Sequence, residues 1–320
     1  MLRLSGLLFI LCSISLNVAP TAAAKEYPVG TKLRDIVQID FNSGSRAIPL
    51  PPGQWEVALS KKWTVSNNNL SDISFYGSYL VRIEGKKVTG ALYYNTPADL
   101  PDFGWVGTGI CENSKLRLRS WILEGTGSKG DPALEDCLGF SWLRGFNVRS
   151  KNVQKVFNYL SQKGVTRETI PNGWFRLMRN YSSDENLIRI RLYLSTEAAG
   201  FPREPKFSYS DSPWMPNNIA THPKKKKFVD QAKGWARSWN DLITKGINNQ
   251  LTLGAVQSHS TITGMYHKTS RATLPTQKGS GSDDKGDVTA KLKKLKAMFE
   301  AELITQDEYE AKKSEILSSM

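Results

Sequence analysis

Apolar and polar positions alternate along much of the chain between residue 25 and about residue 200. In the first clear case Trp55, Val57 and Leu59 share one face, and this period of two is typical of a half-buried β-strand. The same period predicts further strands at Ile73–Ile83, Val88–Tyr94, Leu116–Leu123, Gly139–Val148, Trp174–Tyr181 and Leu187–Ser195. Because these short strands are separated by turn residues, they favour an antiparallel sheet.

Two segments follow the period of a helix instead. In residues 152–162, Val153, Val156, Phe157 and Leu160 lie on one side. The second helix, predicted over Lys225–Asn248, follows the proline-rich residues 200–223, which must be irregular. Its apolar stripe consists of Phe228, Ala232, Trp235, Trp239, Leu242 and Gly246. Residues 251–275 show no pattern that predicts an element.

The C-terminal part of the chain is separate from this body. Residues 276–287 are rich in Gly, Ser and Asp, which is typical of a flexible linker. Residues 288–320 predict two short helices, the second beginning at a capping box of Thr305 and Glu308. The whole pattern predicts an α+β fold: a mainly antiparallel β body over residues 25–275 with one or two packed helices, the flexible linker, and a C-terminal two-helix hairpin.

Several short motifs occur at a characteristic spacing in the hairpin. They are Leu292 and Leu295, Leu303-Ile304-Thr305, Glu308-Tyr309, Lys312-Lys313 and Ile316-Leu317. With these motifs the hairpin resembles the SHOCT family of short C-terminal domains, from which it departs at Glu302, where the family usually has glycine.

The resemblance implies a bacterial origin and a role in oligomerisation or partner binding rather than catalysis. A hairpin of this size buries too little surface to be stable alone, so we expect it to associate with itself or with another envelope protein. The expected association face consists of Leu292, Leu295, Phe299, Leu303, Ile304, Tyr309, Ile316 and Leu317.

The N-terminal residues have the composition of a secretory signal peptide. Arg3 precedes an apolar run at residues 4–16 that is too short to span a bilayer, and the alanines at 22–24 suit cleavage after residue 24. Cys12 is not expected to be lipidated, because Ile10 and Leu11 precede it where a lipoprotein needs a small residue. No later apolar run reaches the length of a membrane span. We therefore expect a soluble exported protein, periplasmic or secreted.

Removal of the signal peptide leaves two cysteines, Cys111 and Cys137. In an oxidising compartment an even pair favours a disulfide over two buried thiols. Neither cysteine has a Cys or His neighbour at the spacing of a metal site, so the sequence predicts a structural bond and no metal.

The chain is basic, with 43 Lys and Arg against 30 Asp and Glu. The excess lies in residues 25–278, which hold 35 basic and 21 acidic side chains, whereas the C-terminal part is slightly acidic. Two predicted strands each carry positive charge on one face: Lys115, Arg117, Arg119 and Trp121 on the first, and Arg189, Arg191 and Tyr193 on the second. If these strands were neighbours, they would form a basic, aromatic surface for an anionic lipid or polysaccharide. The alternative is two solvated faces whose long side chains cover the sheet.

A second basic cluster, at the start of the predicted Lys225–Asn248 helix, consists of Lys224, Lys225, Lys226 and Lys227. Positive charge at a helix N-terminus opposes the helix dipole, so contact with an anionic surface would relieve a small cost. The alternative is a solvated helix start. An export signal argues against a nuclear signal, and no nucleic-acid partner is expected.

No nucleophile elbow, Walker loop or zinc-protease motif occurs in the chain. The leading hypothesis is therefore a non-enzymatic exported bacterial protein without a cofactor, whose hairpin mediates oligomerisation or partner binding. One alternative is a binding module for anionic envelope lipid or polysaccharide. A second alternative is an enzyme of an unrecognised type, because catalysis does not require a known motif.

Overall fold

The computed structural model describes residues 26–41, 44–67, 70–97, 108–129, 135–145, 150–183, 186–205 and 209–259, together with Glu310 and Lys313. The chain divides into two compact units, Met1–Thr269 and Ser270–Met320. The first unit holds the β-rich body, and the fold described below is that of this unit.

The body is built around an eight-stranded sheet in which all neighbouring strands are antiparallel. The strands are β1 (Lys32–Leu33), β4 (Trp55–Asn67), β5 (Leu70–Glu84), β6 (Lys87–Pro97), β7 (Ser120–Thr126), β8 (Glu135–Arg144), β9 (Gly173–Ser183) and β10 (Asn186–Ser195). Their order across the sheet is β1-β4-β5-β6-β10-β9-β8-β7. A separate two-stranded hairpin consists of β2 (Ile36–Phe41) and β3 (Gly44–Pro49). The predicted α+β class with a mainly antiparallel sheet is confirmed for the body, and the C-terminal hairpin lies outside the described residues except for Glu310 and Lys313.

The described helices are α1 (Ser114–Arg117), α2 (Lys151–Gln162), α3 (Pro223–Ile247) and α4 (Leu253–Ser258). The helices predicted at 152–162 and 225–248 are thus confirmed, whereas α4 lies in a stretch without a prediction. Within the described residues, no helix is both long and apolar enough to cross a membrane.

The larger hydrophobic core lies on one face of the sheet. Helix α3 and the β2–β3 hairpin pack there, and the predicted stripe of α3 is buried, with Ala232 and Trp239 almost fully enclosed. Gly246 belongs to this stripe because the backbone of β3 approaches it closely. A Cβ atom at this position would lie 1.9 Å from the carbonyl oxygen of Ala47.

Helix α2 packs on the opposite face of the sheet and covers only part of it. Its buried residues Val156, Tyr159 and Leu160 form a smaller core with Val81 of β5 and Trp174 of β9. The apolar side of the amphipathic helix α2 therefore packs over the end of the sheet where these side chains lie. The remainder of this face carries the polar residues of the candidate site.

The strand predicted at Leu116–Leu123 is wrong in its first half, since β7 begins only at Ser120. The preceding residues form α1, which begins because the Asn113 side chain accepts a hydrogen bond from the backbone N–H of Leu116 at 2.9 Å. Alternation predicted a buried Leu118, but its side chain is 67% exposed. The strand predicted at 139–148 also differs, because β8 spans Glu135–Arg144.

Cys111 and Cys137 are joined at disulfide distance, as predicted, with Cα atoms 5.7 Å apart. The bond links a short 3-10 turn at Ile110–Glu112 to β8. Next to it the buried carboxylate of Glu135 accepts hydrogen bonds from Thr108 and from the backbone N–H of Ile110. The bond and this carboxylate together hold residues 108–112 against the sheet.

Candidate binding site on the α2 side of the sheet

Two rows of side chains run across the central strands on the face that carries α2. In the first row Tyr79 of β5, Tyr93 of β6 and Arg191 of β10 lie opposite one another. In the second row the corresponding residues are Ala91 of β6, Tyr193 of β10 and, on β9, Arg176. Residues opposite one another in an antiparallel sheet project to the same side, so tyrosines and arginines are direct neighbours on this face.

The tyrosine end of both rows lies beneath α2 and lines a cleft of about 240 Å³ between the helix and the sheet. We call this space the α2 cleft. Its floor is formed mainly by Tyr79, Val81, Ala91, Tyr93 and Tyr193 of the sheet. Its roof is formed by Val153, Phe157 and Leu160 of α2, with Ile170 from the following segment. The cleft is therefore apolar apart from the tyrosine hydroxyl groups and the edge at Ser150.

The tyrosines of the cleft are partly buried, and their rings pack together. The ring centres of Tyr79 and Tyr93 lie 4.5 Å apart. Burial raises the pKa of Tyr79 to about 12 and also raises the pKa values of Tyr93 and Tyr193. The Tyr93 hydroxyl accepts a hydrogen bond of 2.8 Å from the Asn95 side chain. These phenols are consequently neutral at physiological pH.

The other end of the two rows is strongly positive. Arg191 is half-buried on the central strand, and its guanidinium donates hydrogen bonds to the backbone carbonyls of Ile190 at 2.8 Å and Arg179 at 3.3 Å. Burial, with a smaller contribution from the nearby charges of Arg176 and Arg189, lowers the pKa of Arg191 to about 10. Even so, Arg191 remains charged at neutral pH.

Arg176 and Arg189 lie beside Arg191. Burial lowers the pKa of Arg176. Its guanidinium donates a hydrogen bond of 3.1 Å to the Ser141 hydroxyl, and its Nε atom is buried without a partner among the described residues. Within that same part of the chain, none of the three arginines forms an ion pair with a carboxylate. We call Arg176, Arg189, Arg191, Tyr93 and Tyr193 the arginine–tyrosine surface. It is a partly desolvated cationic site that can accept an anion.

Helix α2 is anchored over the cleft by a polar contact to β4. The carboxylate of Glu56 accepts hydrogen bonds from the Tyr159 hydroxyl at 2.8 Å and from the Lys163 ammonium group at 2.9 Å. Burial alone would raise the pKa of Glu56, but the two hydrogen bonds and the charge of Lys163 outweigh it and lower the pKa. The ionised form of Glu56 therefore stabilises the docked helix.

Replacement of this carboxylate should weaken α2 docking. We expect Glu56→Gln to lower the free energy of unfolding by about 1 kcal/mol at neutral pH, because the charged hydrogen bonds are lost. Since the folded pKa of Glu56 is depressed, the contribution is present above the ordinary value of 4.5 and disappears as the pH falls through the folded value. Thermal unfolding of both proteins at neutral and acidic pH measures this difference.

The exposed Glu26 provides a control, and Glu26→Gln should leave stability nearly unchanged. A difference between Glu56→Gln and the unmodified protein that persists undiminished well below pH 4.5 would contradict the role given to the carboxylate.

Lys115, Arg117 and Trp121 of the first predicted basic strand do not join this site, whereas Arg119 shares the neighbouring Tyr209 with Arg176. Strands β9 and β8 separate β10 from β7, so the two predicted faces are not neighbours. Lys115 and Arg117 lie on α1, and Arg117 donates a hydrogen bond of 2.9 Å to the Cys111 carbonyl. Arg119 stacks over the ring of Tyr209. Trp121 packs against the large core, with its ring centre 5.3 Å from that of Phe140.

The lysine cluster at Lys224–Lys227 lies in the first turn of α3 and is partly neutralised. Lys225 pairs with Glu204 and lies over the ring of Trp214, and Lys226 pairs with Asp230 at 2.7 Å. Lys224 and Lys227 are exposed. The structure therefore gives this cluster the form of a solvated helix start with two local ion pairs.

The C-terminal segment matches a known family. Residues 290–317 match the model of SHOCT, the short C-terminal domain. This segment is a SHOCT domain. The resemblance expected from the motifs of the hairpin is thus confirmed. No curated protein and no solved structure matches the chain.

Two residues of the SHOCT domain are described, Glu310 and Lys313, and both are helical. Their side chains form an ion pair of 3.6 Å across one helical turn. The apolar residues of the expected association face lie outside the described residues, so that face stays a prediction.

Sequence reasoning identified only the β10 residues of the site. The residues that it missed are Arg176, Tyr79, Tyr93 and the walls of the cleft. Tyr79 alternates in phase with the apolar residues of its predicted strand, so the pattern did not mark it as a site residue. Arg176 lies in a predicted strand whose charged face was not considered as a binding surface. Their common position emerges only from the strand order, which places β6 and β9 on either side of β10.

Proposed function

We propose that the chain is an exported, non-enzymatic protein whose body binds an anionic component of the bacterial envelope through the arginine–tyrosine surface. The SHOCT domain then serves to associate the body with a second copy or with another envelope protein. The N-terminal signal-like segment and the disulfide support export, since such bonds persist in oxidising compartments.

One observation carries the binding function: three arginines converge on neighbouring strands without a carboxylate among the described residues to neutralise them. Desolvated charge is costly unless it is paired. The lowered pKa values of Arg176 and Arg191, which burial causes, support the view that these charges are partly desolvated. An anion at this surface would restore the missing interaction and gain charge-assisted hydrogen bonds from guanidinium groups.

Co-sedimentation with lipid vesicles tests the binding function. We expect retention on vesicles of anionic phospholipid, little retention on neutral vesicles, and a steep loss with added salt. Arg191→Gln should reduce retention several-fold. The matched control is Arg117→Gln, because Arg117 is exposed and lies outside the site. Equal retention of both variants would overturn the assignment of the surface, and soluble anionic polysaccharide that competes fully would identify a sugar polymer as the ligand.

The association role has its own test in light scattering coupled to size exclusion. We expect the chain from residue 25 to the C-terminus to be larger than a monomer, and a chain ending at Lys278 to be monomeric, because the SHOCT hairpin is too small to bury its apolar residues alone. A monomeric mass for both chains would remove self-association and leave docking to a different protein.

A further inference from the structure

We propose that the α2 cleft binds the apolar chain of the same ligand, so that the body takes a single-chain anionic amphiphile such as a fatty acid. This inference rests on the proposed function for the charged head of the ligand. It adds an apolar subsite, with its own residues and its own chain-length dependence.

The cleft and the arginines lie side by side on the same face of the sheet. Tyr93 lines the cleft, and its neighbour in the same row is Arg191. Tyr193 also lines the cleft, and its neighbour in the second row is Arg176. Adjacent strands lie about 4.8 Å apart, so the tyrosines of the cleft floor and these two arginines are separated by one strand spacing. A chain in the cleft therefore places a terminal anion at the arginines.

The volume of the cleft suits a single alkyl chain. Its 240 Å³ exceeds the roughly 150 Å³ cavity that holds a benzene molecule, and it falls below the about 300 Å³ at which drug-sized pockets begin. This is room for one short alkyl chain and not for the two chains of a phospholipid. The walls of Val81, Ala91, Val153, Phe157 and Leu160 supply the apolar contacts that such a chain requires.

The tyrosines mark the boundary between the two subsites. Each phenol presents an apolar ring to the cleft, and those of Tyr93 and Tyr193 also interact electrostatically with the nearby arginines. Since burial raises their pKa values, they stay neutral and donate hydrogen bonds instead of repelling an anion. Charge and apolar surface are thus arranged in the order of a carboxylate followed by its chain.

Isothermal titration calorimetry of the full mature chain with short fatty acids tests the proposal. We expect affinity to rise about three- to fourfold for each added methylene from hexanoate to octanoate, the increment of a buried methylene. Octanoate should bind at least about tenfold more tightly than 1-octanol, because a hydrogen bond to a charged group is worth more than a neutral one. Octylammonium should bind more weakly than either.

Two variants separate the subsites. Ala91→Leu fills the floor of the cleft and should abolish the chain-length dependence, while binding to anionic vesicles persists. Arg191→Met should remove the preference for octanoate over 1-octanol and leave 1-octanol binding unchanged. The matched controls are Ala220→Leu and Arg34→Met, because both positions are exposed and lie away from the cleft.

The outcomes distinguish this inference from the proposed function. In one outcome, octanoate binds no better than acetate while anionic vesicles still retain the protein in a salt-dependent way. That result would mean that the cleft does not bind an alkyl chain, and only the anion-binding role of the arginine–tyrosine surface would be supported. If 1-octanol binds as tightly as octanoate and Arg191→Met has no effect, the cleft takes neutral ligands and the anion-binding function is wrong.

Discussion

Loss of the Cys111–Cys137 bond should lower the free energy of unfolding of the β-rich body by about 3 kcal/mol. The bond closes a loop of 26 residues, so its removal returns the entropy of that loop to the unfolded state. It also releases the turn at Ile110–Glu112 from β8, next to the edge strand β7. In a body of this size the loss corresponds to a fall in melting temperature of about 6–12 °C.

Thermal unfolding of the unmodified chain and of a Cys111→Ala/Cys137→Ala double variant, each with and without reductant, measures the effect. Reductant should destabilise the unmodified chain to the level of the variant and should leave the variant unchanged. Coincident melting of the oxidised and reduced chains would show that residues 108–112 hold their place without the bond. The stabilisation is available only in an oxidising compartment, which links this result to the proposed export.

Alternation predicted β10 well and β7 poorly, and one physical difference explains both results. The odd and even positions of Leu187–Ser195 face different surroundings because β10 is central in the sheet, with a fully buried core on one side. Residues 115–119 alternate just as regularly, but the Asn113 cap begins a helical turn that they follow before β7. Local hydrogen bonds outweigh a short alternating pattern when no core holds both ends of the segment.

The candidate site depends on topology that alternation does not contain. Arg191 and Tyr193 could be placed on one face of a strand from the sequence, and the structure keeps them together. Their neighbours Tyr93 and Arg176 come from β6 and β9, and the pairing of β6 with β10 joins segments that are distant in the chain. The sequence also predicted an open outer face, whereas α2 covers part of it and converts polar strand positions into half-buried ones.

Burial of these positions has a consequence for stability. A guanidinium group with a pKa lowered to about 10 is held in a place that disfavours its charge. The protein therefore loses stability at Arg191 unless a ligand compensates, and residues kept at such a cost are typical of binding sites. The same reasoning does not apply to the exposed Arg34, whose charge remains hydrated.

Replacement of Arg191 by methionine should therefore stabilise the ligand-free body, by about 2 kcal/mol at neutral pH. Methionine keeps the apolar stem, and the two carbonyls that lose a hydrogen bond belong to strands paired on both sides. Because the folded pKa of Arg191 is depressed, the penalty is full below about pH 10 and fades as the pH rises toward the ordinary value of 12.5. Thermal unfolding of Arg191→Met, with Arg34→Met as the control, should show a higher melting temperature for the first variant only, and this advantage should shrink above about pH 10. A destabilised Arg191→Met would mean that Arg191 is a structural residue whose charge is satisfied within the fold, and the anion site would lose its central argument.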